Sequence, residues 1–292
     1  MASVQSAVVR SMIRKSNMWN RPLDEIRNSM QNIPAKSIPA GIINDRQNIG
    51  GVPCEVFRNA EKQKNKAILY FHGGGFCMGI YHANREFVAR LSKITGMDIY
   101  LPDYSLAPEH PFPAALNDAI AAYKGLLDAG YNACDIFVMG DSSGCSLAVS
   151  ALLMLRQDGF LMPCAMAFLT PVFDLTGTSE SLHVNAANDP FQLKDPLGVA
   201  KLYVGENDTA SLLLSPLYGD LRGLPPMLIH AAEYDVFAGD AERFLKQAAD
   251  VGLPVEYKVW RKMWHIFHMQ APLVPEASKA LKEVNSYLAS KF

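Results

Sequence analysis

Short apolar runs alternate with longer amphipathic segments from Lys66 to the end of the chain. The apolar runs are rich in β-branched or aromatic residues and are bounded by Gly, Pro or Asp, a pattern typical of strands. Strands are therefore predicted at Ala67–Phe71, Asp98–Leu101, Ile136–Met139, Ala165–Leu169, Met227–Ala231 and Val255–Trp260. Helices are predicted between and after them at Glu86–Thr95, Ala114–Ala129, Ser146–Gln157, Asp240–Val251 and Pro275–Ala289.

This order of elements determines the expected fold class. Strands that alternate with helices of this length form a mostly parallel sheet that is covered by helices on both faces. Two earlier apolar runs, around Ile42 and at Val52–Phe57, can add an antiparallel hairpin at one edge of the sheet. The pattern thus predicts an α/β fold with a mostly parallel central sheet.

Two regions interrupt the alternation. The first 35 or so residues have a mixed helical pattern, and Thr176 to Leu214 form a long insertion that contains Asp189-Pro190. Long insertions in compact domains are usually functional lids or disordered segments. Disorder is disfavoured because the insertion carries apolar residues at Phe191, Leu193, Leu197, Val199, Leu202 and Tyr203. We therefore predict a single domain over residues 1–292, with a helical cap formed by about 1–40 and 176–214.

Composition and charge narrow the class of protein. The chain has 292 residues, 49% of them apolar and 19% charged, with a formal net charge of −2, which is ordinary for a globular protein. A nucleic-acid-binding domain is usually basic. The one basic cluster, Lys62, Lys64 and Lys66, lies between two apolar runs and is interpreted as a solvated turn. No nucleic-acid partner is expected.

The compartment is inferred from three features of the chain. No apolar stretch is long enough to predict a membrane span. Met1 to Leu23 scatter basic side chains among short apolar groups and lack the continuous apolar core of a secretory signal. The five cysteines include no Cys-x-x-Cys pair, which disfavours a disulfide framework or a thiolate zinc site. A reducing compartment, the cytoplasm, is the expected location.

The first chemical signal is a predicted strand followed at once by Gly140-Asp-Ser-Ser-Gly144 and then by a predicted helix. A sharp strand-to-helix turn presents the serine hydroxyl at the carboxyl edge of the sheet, and glycines on either side allow the chain to pass close to itself. The pentapeptide alone is weak, since it occurs by chance in roughly one chain in ten of this length. In its strand–helix context it predicts Ser142 as a nucleophile.

A second motif, His72-Gly-Gly-Gly-Phe76, directly follows the strand predicted at Ala67–Phe71. Three consecutive glycines build no core, but bare backbone can approach a substrate oxygen and donate N–H groups to it. We predict an oxyanion hole formed by the amides of Gly74, Gly75 and Ser143. The two motifs, in this order, are the arrangement found in lipases and esterases.

The acid partner of Ser142 is expected after it in the chain, at the end of a later strand. Asp235 follows the predicted strand Met227–Ala231 by a short loop and can reach a histidine on the next loop. Glu233 lies nearer to the strand, and Asp240 fits better in the first turn of the next helix. Asp235 is the predicted acid, with Glu233 and Asp240 as alternatives.

The catalytic histidine is expected after the strand Val255–Trp260, where His265 and His268 both occur. His265 is preferred, because His268 would face elsewhere if a helical turn begins between them. A metal site at this pair lacks a third ligand. Three other histidines are interpreted as loop-pinning, packing or surface residues: His72, His183 and His230. Neither a metal nor another cofactor is expected.

Several longer motifs make the sequence recognisable: His72-Gly-Gly-Gly-Phe76, Asp103-Tyr-Ser-Leu-Ala-Pro-Glu-His-Pro-Phe-Pro-Ala-Ala115, Gly140-Asp-Ser-Ser-Gly144, Ser215-Pro-Leu, Gly223-Leu-Pro-Pro226 and Trp264-His-Ile-Phe267. With them, the chain from about residue 40 resembles the hormone-sensitive-lipase-like carboxylesterases of the α/β-hydrolase fold. The resemblance implies the same triad and oxyanion donors, a two-piece cap over the site, and short- to medium-chain acyl esters as substrates. It is also compatible with a homodimer through an exposed sheet edge.

The chain departs from the family pattern at three places. The family more often has Ala at Ser143, Gly-Asn at Cys145-Ser146 and Pro-Gly-Met at Arg261-Lys262-Met263. The first change keeps the backbone amide donor, and the others affect local packing and loop shape. The expected substrate is a small uncharged acyl ester, because the residues of the predicted cap are apolar.

Two alternatives remain open from the sequence. The same site can hydrolyse amides, lactones or carbamates, since all of these carry an acyl group. A binding protein of hydrolase fold without activity is the second alternative, because one fold hosts many functions. The complete set of Ser142, Asp235 and His265 disfavours the binding protein.

Overall fold

The computed structural model describes residues 2–34, 38–60 and 66–292. Its strands are β1 Ile42–Ile49, β2 Val52–Asn59, β3 Ala67–Phe71, β4 Asp98–Pro102, β5 Ile136–Asp141, β6 Ala165–Leu169, β7 Met227–Ala232 and β8 Val255–Trp260. Its α-helices are α1 Val4–Ser16, α2 Leu23–Gln31, α3 His82–Thr95, α4 Ala114–Asp128, α5 Ser143–Gln157, α6 Ser181–Val184, α7 Ala200–Val204, α8 Ala238–Asp250 and α9 Pro275–Ala289. Lys62 and Lys64 of the predicted basic turn, and positions 35–37 of the predicted cap, lie outside the described residues.

All eight strands form one sheet in the order β1-β2-β4-β3-β5-β6-β7-β8. The hairpin of β1 and β2 is antiparallel, and β2 also pairs antiparallel with β4. The strands from β4 through β3 to β8 pair in parallel. The predicted α/β fold with a mostly parallel sheet and an antiparallel edge hairpin is therefore confirmed.

The sheet has helices on both faces, so its central strands are buried. Residues of β3, β5, β6 and β7 are all buried. Helices α4, α5 and α8 contribute to the apolar core on one face, and α3 and α9 contribute to the core on the other. The parallel register pairs Phe71 at the end of β3 with Gly140 near the end of β5. This pairing puts the loop after β3 beside the turn after β5.

Helices α3 and α5 begin four and three residues earlier than their periodicity predicts, and α8 begins two residues earlier, at Ala238. Helix α3 begins at His82 rather than Glu86, because the Asn84 side chain accepts the Tyr81 N–H at 3.1 Å and caps the first turn. Helix α5 begins at Ser143 rather than Ser146, directly after the turn that holds Ser142. Small and polar residues fill the first turns of α3 and α5, so the apolar pattern does not extend into them.

The N-terminal segment is attached to the rest of the fold at two places. The backbone N–H and the hydroxyl of Ser3 donate to the carboxylate of Glu276 in α9, at 2.6 and 2.8 Å. Helix α2 buries Ile26 against Met78 and Tyr81. These two residues follow the three consecutive glycines at positions 73–75, which we call the glycine loop. The N-terminal segment is therefore joined to α9 at its start and to the residues after the glycine loop through α2.

The insertion at 176–214 is less helical than the sequence predicts. It contains only the four-residue helix α6 and the five-residue helix α7, and turns make up much of the rest. Pro190 and Pro196 lie between the two helices, and proline removes a backbone donor and breaks a helix. In the described part of the chain, no helix is long and apolar enough to cross a membrane.

Candidate active site

Ser142 lies on a strained turn between β5 and α5. Its backbone angles are φ 52° and ψ −125°, an unfavourable region for a residue with a side chain. Such strain costs of order 1–3 kcal/mol and is frequent at functional sites. A Cβ at Gly144 would collide with the backbone of Phe71, and a Cβ at Gly140 would collide with the backbone of Gly144. The two glycines of the pentapeptide are therefore required by close backbone contacts.

The structure brings Ser142, His265 and Asp235 into one hydrogen-bonded chain. Ser142 Oγ lies 2.8 Å from His265 Nε2, and His265 Nδ1 lies 2.9 Å from Asp235 Oδ2. These contacts join residues that are 123 and 30 positions apart in the sequence. With Nδ1 protonated, His265 donates to Asp235 and offers Nε2 as acceptor to the serine hydroxyl. Asp235 and His265 are both buried.

The loops that carry the acid and the histidine are tied to each other and to the sheet. Tyr234 N donates to Met263 O at 2.9 Å, which joins the two loops. Ile266 N donates to the Thr170 hydroxyl at 3.0 Å, at the end of β6. These bonds hold the His265 ring between the neighbouring strand ends.

Electrostatics of the site favour a basic imidazole. Burial by itself would lower the pKa of His265. The carboxylate of Asp235 acts against it through charge and hydrogen bonding, and Asp189 and Asp141 add further negative charge. The net effect is a pKa above the usual histidine value, which suits a group that accepts the proton of Ser142.

A network of buried side chains holds the glycine loop against Ser142. Asp141 Oδ1 accepts the Gly73 N–H at 3.1 Å and the Tyr70 hydroxyl at 2.7 Å. Tyr104, from the long recognised motif, donates to the carbonyl oxygen of His72 at 2.7 Å. Burial raises the pKa of Asp141 to about 6, although the two hydrogen bonds oppose that shift.

His72 occupies a structural place under this loop. Its ring is fully buried, stacks on Tyr104 at 4.3 Å between centroids, and has Nδ1 2.8 Å from Gly73 O. Burial lowers the pKa of His72 to about 4, so the ring is neutral near pH 7. These contacts agree with the interpretation of His72 as a residue that pins the loop.

The three predicted oxyanion donors differ in their surroundings. In the described part of the chain, the amides of Gly74 and Ser143 make no hydrogen bond to the protein. The amide of Gly75 donates to the side-chain hydroxyl of Ser143 at 2.9 Å. The sequence prediction treated Ser143 only as a backbone donor and missed this contact of its side chain.

The alternatives to Asp235 and His265 have other partners. Glu233 accepts the Lys262 N–H at 2.6 Å, and Asp240 accepts the backbone amides of Phe173 and Asp174. Asp240 lies in the first turn of α8, as predicted.

The other candidate histidines lie in different surroundings. His268 is buried on a 3-10 turn with Nε2 3.3 Å from Nδ1 of His230, which is also buried. His183 is exposed on α6. His265 is the histidine that the structure places within hydrogen-bond distance of Ser142.

Sequence reasoning did not single out three residues that contact this region. Asp141 lies inside the pentapeptide, but the motif does not indicate that its side chain binds the glycine loop. Thr170 gives no signal, because a threonine at a strand end is common. Asp189 was named only as part of the long insertion, although Ser181, Asn185 and Asp189 share a four-residue spacing that indicates one helix face.

A cleft of about 1100 Å³, part of it open to solvent, lies over Ser142 and His265. Both segments that were predicted to form the cap contribute to its walls. The cleft residues from these segments are mainly apolar and include Trp19, Ile26, Met30, Phe191, Leu197 and Val199. The charged residues among those lining the cleft are acidic or the histidine itself: Asp141, Asp195 and His265.

The described residues contain no preformed metal-binding site. No group of three or more His, Cys, Asp or Glu side chains in residues 2–34, 38–60 and 66–292 is arranged to hold a metal ion.

Comparison with known proteins places this site in a family. The family model described as alpha/beta hydrolase fold matches residues 68–269. An esterase of Acinetobacter venetianus is 34% identical over 244 residues, covering 83% of this chain and 80% of that protein. An acetyl-hydrolase of Streptomyces hygroscopicus is 33% identical over 252 residues, covering 86% and 83%.

Solved structures agree over the whole chain. An esterase from the bacterial hormone-sensitive lipase family has a TM-score of 0.93 and 33% identity, covering 100% of this chain and 99% of that one. The esterase EstE5, soaked with p-nitrophenyl butyrate, has a TM-score of 0.93 and 32% identity, covering 99% of both. The chain therefore belongs to the α/β-hydrolase family, among the hormone-sensitive-lipase-like carboxylesterases.

Proposed function

We propose that the protein is a serine carboxylesterase that hydrolyses short- to medium-chain acyl esters through a covalent acyl-enzyme. The observation that carries the proposal is the hydrogen-bonded chain from Ser142 through His265 to Asp235, with distances of 2.8 and 2.9 Å. A nucleophile, a base and an orienting acid within such distances are what a serine hydroxyl needs to become reactive.

In the first half of the reaction, Ser142 Oγ bonds to the acyl carbon while His265 Nε2 takes its proton. The carbonyl electron pair moves onto the oxygen, and the resulting oxyanion accepts hydrogen bonds from the amides of Gly74, Gly75 and Ser143. His265 then gives the proton to the alkoxy oxygen as the C–O bond breaks, and the alcohol leaves. Asp235 stabilises the imidazolium form and does not itself take the proton.

The second half repeats these steps with water. His265 takes a proton from a water molecule whose oxygen attacks the acyl carbon bonded to Ser142. A second tetrahedral oxyanion forms in the same amide site and collapses with return of the proton to Ser142 Oγ. The carboxylic acid is released, and neither a metal nor a cofactor takes part in this scheme.

The cleft supports an uncharged substrate. Among the described residues, no lysine or arginine lines it, so a substrate carboxylate or phosphate would be desolvated there without a counter-charge from this part of the chain. The apolar walls favour burial of a hydrocarbon acyl chain, at about 25 cal/mol per Å² of apolar surface. The acetyl-hydrolase relative and the EstE5 structure soaked with a butyrate ester agree with a chain of modest length.

Three further points belong to this proposal. The segments at 1–40 and 176–214 act as the cap over the cleft, supported by the side chains that both contribute to its walls. The protein works in the cytoplasm, supported by its five cysteines without a Cys-x-x-Cys pair. A homodimer through an exposed edge of the sheet stays a prediction.

The decisive experiment compares Ser142→Ala with Ser150→Ala in p-nitrophenyl butyrate hydrolysis. Ser150 is a buried matched control on α5, the helix that follows Ser142, and its hydroxyl has no hydrogen-bond partner in the described structure. We expect Ser142→Ala to lose about 10⁴-fold or more in kcat, because removal of the nucleophile ends covalent catalysis. Ser150→Ala should keep wild-type turnover. Full turnover by Ser142→Ala would refute the proposal.

Two more measurements separate the alternatives. Wild-type protein should take up one fluorophosphonate per chain, whereas no labelling would indicate a binding protein. Matched ester and amide substrates should favour the ester, and an acyl series from acetate to laurate should favour butyrate over laurate. Preference for the amide or for laurate would change the substrate class.

A further inference from the structure

Three polar side chains of the insertion contact the loop that carries Asp235. We call this loop, residues 233–237 between β7 and α8, the acid loop. Ser181, Asn185 and Asp189 lie four residues apart, and the backbone bonds Asn185 N to Ser181 O and Asp189 N to Asn185 O continue the helical turn of α6. Side chains at this spacing share one face of a helix. The three therefore form one polar stripe, which we call the acid-loop stripe.

The acid-loop stripe makes four hydrogen bonds to the backbone of residues 235–239. Ser181 Oγ donates to Val236 O at 2.6 Å and accepts from Gly239 N at 3.0 Å. Asn185 Nδ2 donates to Asp235 O at 2.7 Å. Asp189 Oδ2 accepts from Val236 N at 3.3 Å. Each member of the stripe thus contacts the segment that begins at Asp235.

Asp189 is the most demanding member of the stripe. Its side chain is fully buried, and its other oxygen accepts the Phe191 N–H at 2.8 Å, so both oxygens are bound by backbone amides rather than by a cation. A buried carboxylate is costly unless hydrogen bonds satisfy it. The two oxygens of Asp189 fix the positions of the Phe191 and Val236 amides, and we infer that this is why a carboxylate is present at a buried position.

We propose that Ser181, Asn185 and Asp189 are positioning residues that hold the acid loop, so that the Asp235 carboxylate meets His265 Nδ1. The inference rests on the proposed function of this site and deepens it. It assigns to the insertion the placement of the catalytic acid, in addition to covering the cleft. Residues 181–189 are then a fixed support rather than a movable part of the cap.

The positioning role follows from the short distance that the Asp235 carboxylate must keep to His265 Nδ1. Asp235 Oδ2 lies 2.9 Å from His265 Nδ1, and among the described residues its Oδ1 accepts only from Phe237 N of its own loop, at 2.9 Å. The loop's backbone is in turn held by the acid-loop stripe. Misplacement of a catalytic group by about 1 Å can cost roughly a hundred-fold in rate. Loss of a stripe contact should therefore lower kcat more than it changes substrate binding.

Asp189 also contributes charge next to His265. The titratable groups around the His265 ring are Asp235 on the acid loop, Asp141 at the end of β5, Asp189 in the insertion and His268 on the following turn. The negative charge of Asp189 favours the imidazolium form. Replacement of Asp189 by a neutral residue should lower the pKa of His265 and move the acidic limb of kcat/KM to lower pH.

The experiment measures p-nitrophenyl butyrate hydrolysis for Asn185→Ala and Asp189→Asn, with Asn188→Ala as the matched control. Asn188 is exposed on the same turn. We expect kcat to fall roughly ten- to hundred-fold for Asn185→Ala and Asp189→Asn at nearly unchanged KM. Asn188→Ala should match the wild type. The acidic limb of kcat/KM should lie at lower pH for Asp189→Asn.

The possible results separate this inference from the proposed function. Wild-type kcat in Asn185→Ala, or an effect on KM alone, would overturn the positioning role while an inactive Ser142→Ala still supports the esterase. An active Ser142→Ala would overturn the proposed function itself. Circular dichroism and urea midpoints show whether each variant folds, and Asn185→Ala decides the question if Asp189→Asn does not fold.

Discussion

At the scale of single residues, the hydroxyl of Ser143 competes for a donor of the proposed oxyanion site. It accepts the hydrogen bond of the Gly75 amide at 2.9 Å, and the same amide is expected to bind the tetrahedral oxygen. The oxyanion must therefore replace the hydroxyl as the acceptor. A hydrogen bond of this kind is worth about 0.5–1.5 kcal/mol net. A methyl group, which the family more often has at this position, offers no competing acceptor.

We expect Ser143→Ala to raise kcat for p-nitrophenyl butyrate by about two- to ten-fold, because the Gly75 amide is then free before the oxyanion forms. The KM should change little, since the ground-state carbonyl uses this site only weakly. A trifluoromethyl ketone that mimics the tetrahedral oxygen should bind tighter by a similar factor. The measurement is steady-state kinetics together with inhibitor affinity, with Ser150→Ala as control.

A drop in both kcat and inhibitor affinity in Ser143→Ala would contradict this competition. That result would mean that the hydroxyl itself donates to the oxyanion. Unchanged values would mean that the contact with Gly75 has no part in the reaction.

At the scale of elements, Arg27 hydrogen-bonds α2 to two loops that follow strands of the sheet. Arg27 donates from Nε to Cys77 O and from Nη2 to Ala107 O, both at 2.8 Å. It also forms an ion pair with Glu109 at 2.6 Å, which is half exposed and therefore weak. The two bonds to carbonyl oxygens join α2 to the loop after β3 and to the long motif after β4. Ile26 and Met30 of the same helix line the cleft.

We expect Arg27→Ala to lower the free energy of unfolding by about 1–3 kcal/mol, since two carbonyl oxygens lose a charged donor. The KM for butyrate esters should rise several-fold, because one wall of the cleft loosens, while kcat changes less. Urea denaturation and steady-state kinetics measure the two effects. Arg21→Ala, at an exposed position near the start of α2, is the control and should behave like the wild type. Equal behaviour of the two variants would show that these contacts do not hold the wall in place.

At the scale of the whole molecule, three buried acids and three buried histidines have opposite pKa shifts. Burial raises the pKa of Asp141 and Asp189 to about 6 and that of Asp240 to about 7. Burial lowers the pKa of His72 to about 4 and of His230 to about 3, and moves that of His268 well below its usual value. Between about pH 4.5 and 5.5, the folded protein thus holds protons on these acids that the unfolded chain lacks, while the unfolded chain holds protons on these histidines that the folded protein lacks.

The two sets have opposite effects on stability. The acids contribute stability at low pH that is lost as the pH rises toward their folded pKa values. The histidines contribute stability near neutral pH that is lost as the pH falls below their unfolded value of about 6.5. Each group changes the free energy of unfolding by about 1.4 kcal/mol per pH unit. The two sets therefore oppose each other in this range.

We therefore expect the free energy of unfolding to change little between about pH 4.5 and 5.5, and to fall steeply below about pH 4. The loss is reinforced by carboxyls whose pKa is lowered in the folded state through hydrogen bonds that outweigh burial: Glu55, Asp174 and Glu276. Urea denaturation across this pH range measures the profile. His230→Leu should tilt the plateau, so that stability falls by about 1.4 kcal/mol per unit as the pH rises. A flat profile in this variant would contradict the balance.

Local pattern in the sequence was sufficient for the elements and their order. Strands β3 and β6 begin and end where their apolar runs do, because a buried strand requires apolar side chains on both faces. The position of Ser142 followed from its glycines, since close backbone approach leaves room for no other residue. These properties depend on neighbours within a few residues, so a single sequence contains them.

Contacts between distant segments were decided only by the tertiary structure. Asp235, Glu233 and Asp240 have similar local sequence surroundings, and only the packing of β7 against β8 brings Asp235 rather than the others to His265. The bond from Gly75 to Ser143 and the acid-loop stripe join residues 68 and about 50 positions apart. The periodicity of a chain reports which side of an element is buried. Periodicity does not report which side chain of another element contacts that buried side, because this contact depends on the three-dimensional arrangement of all the strands.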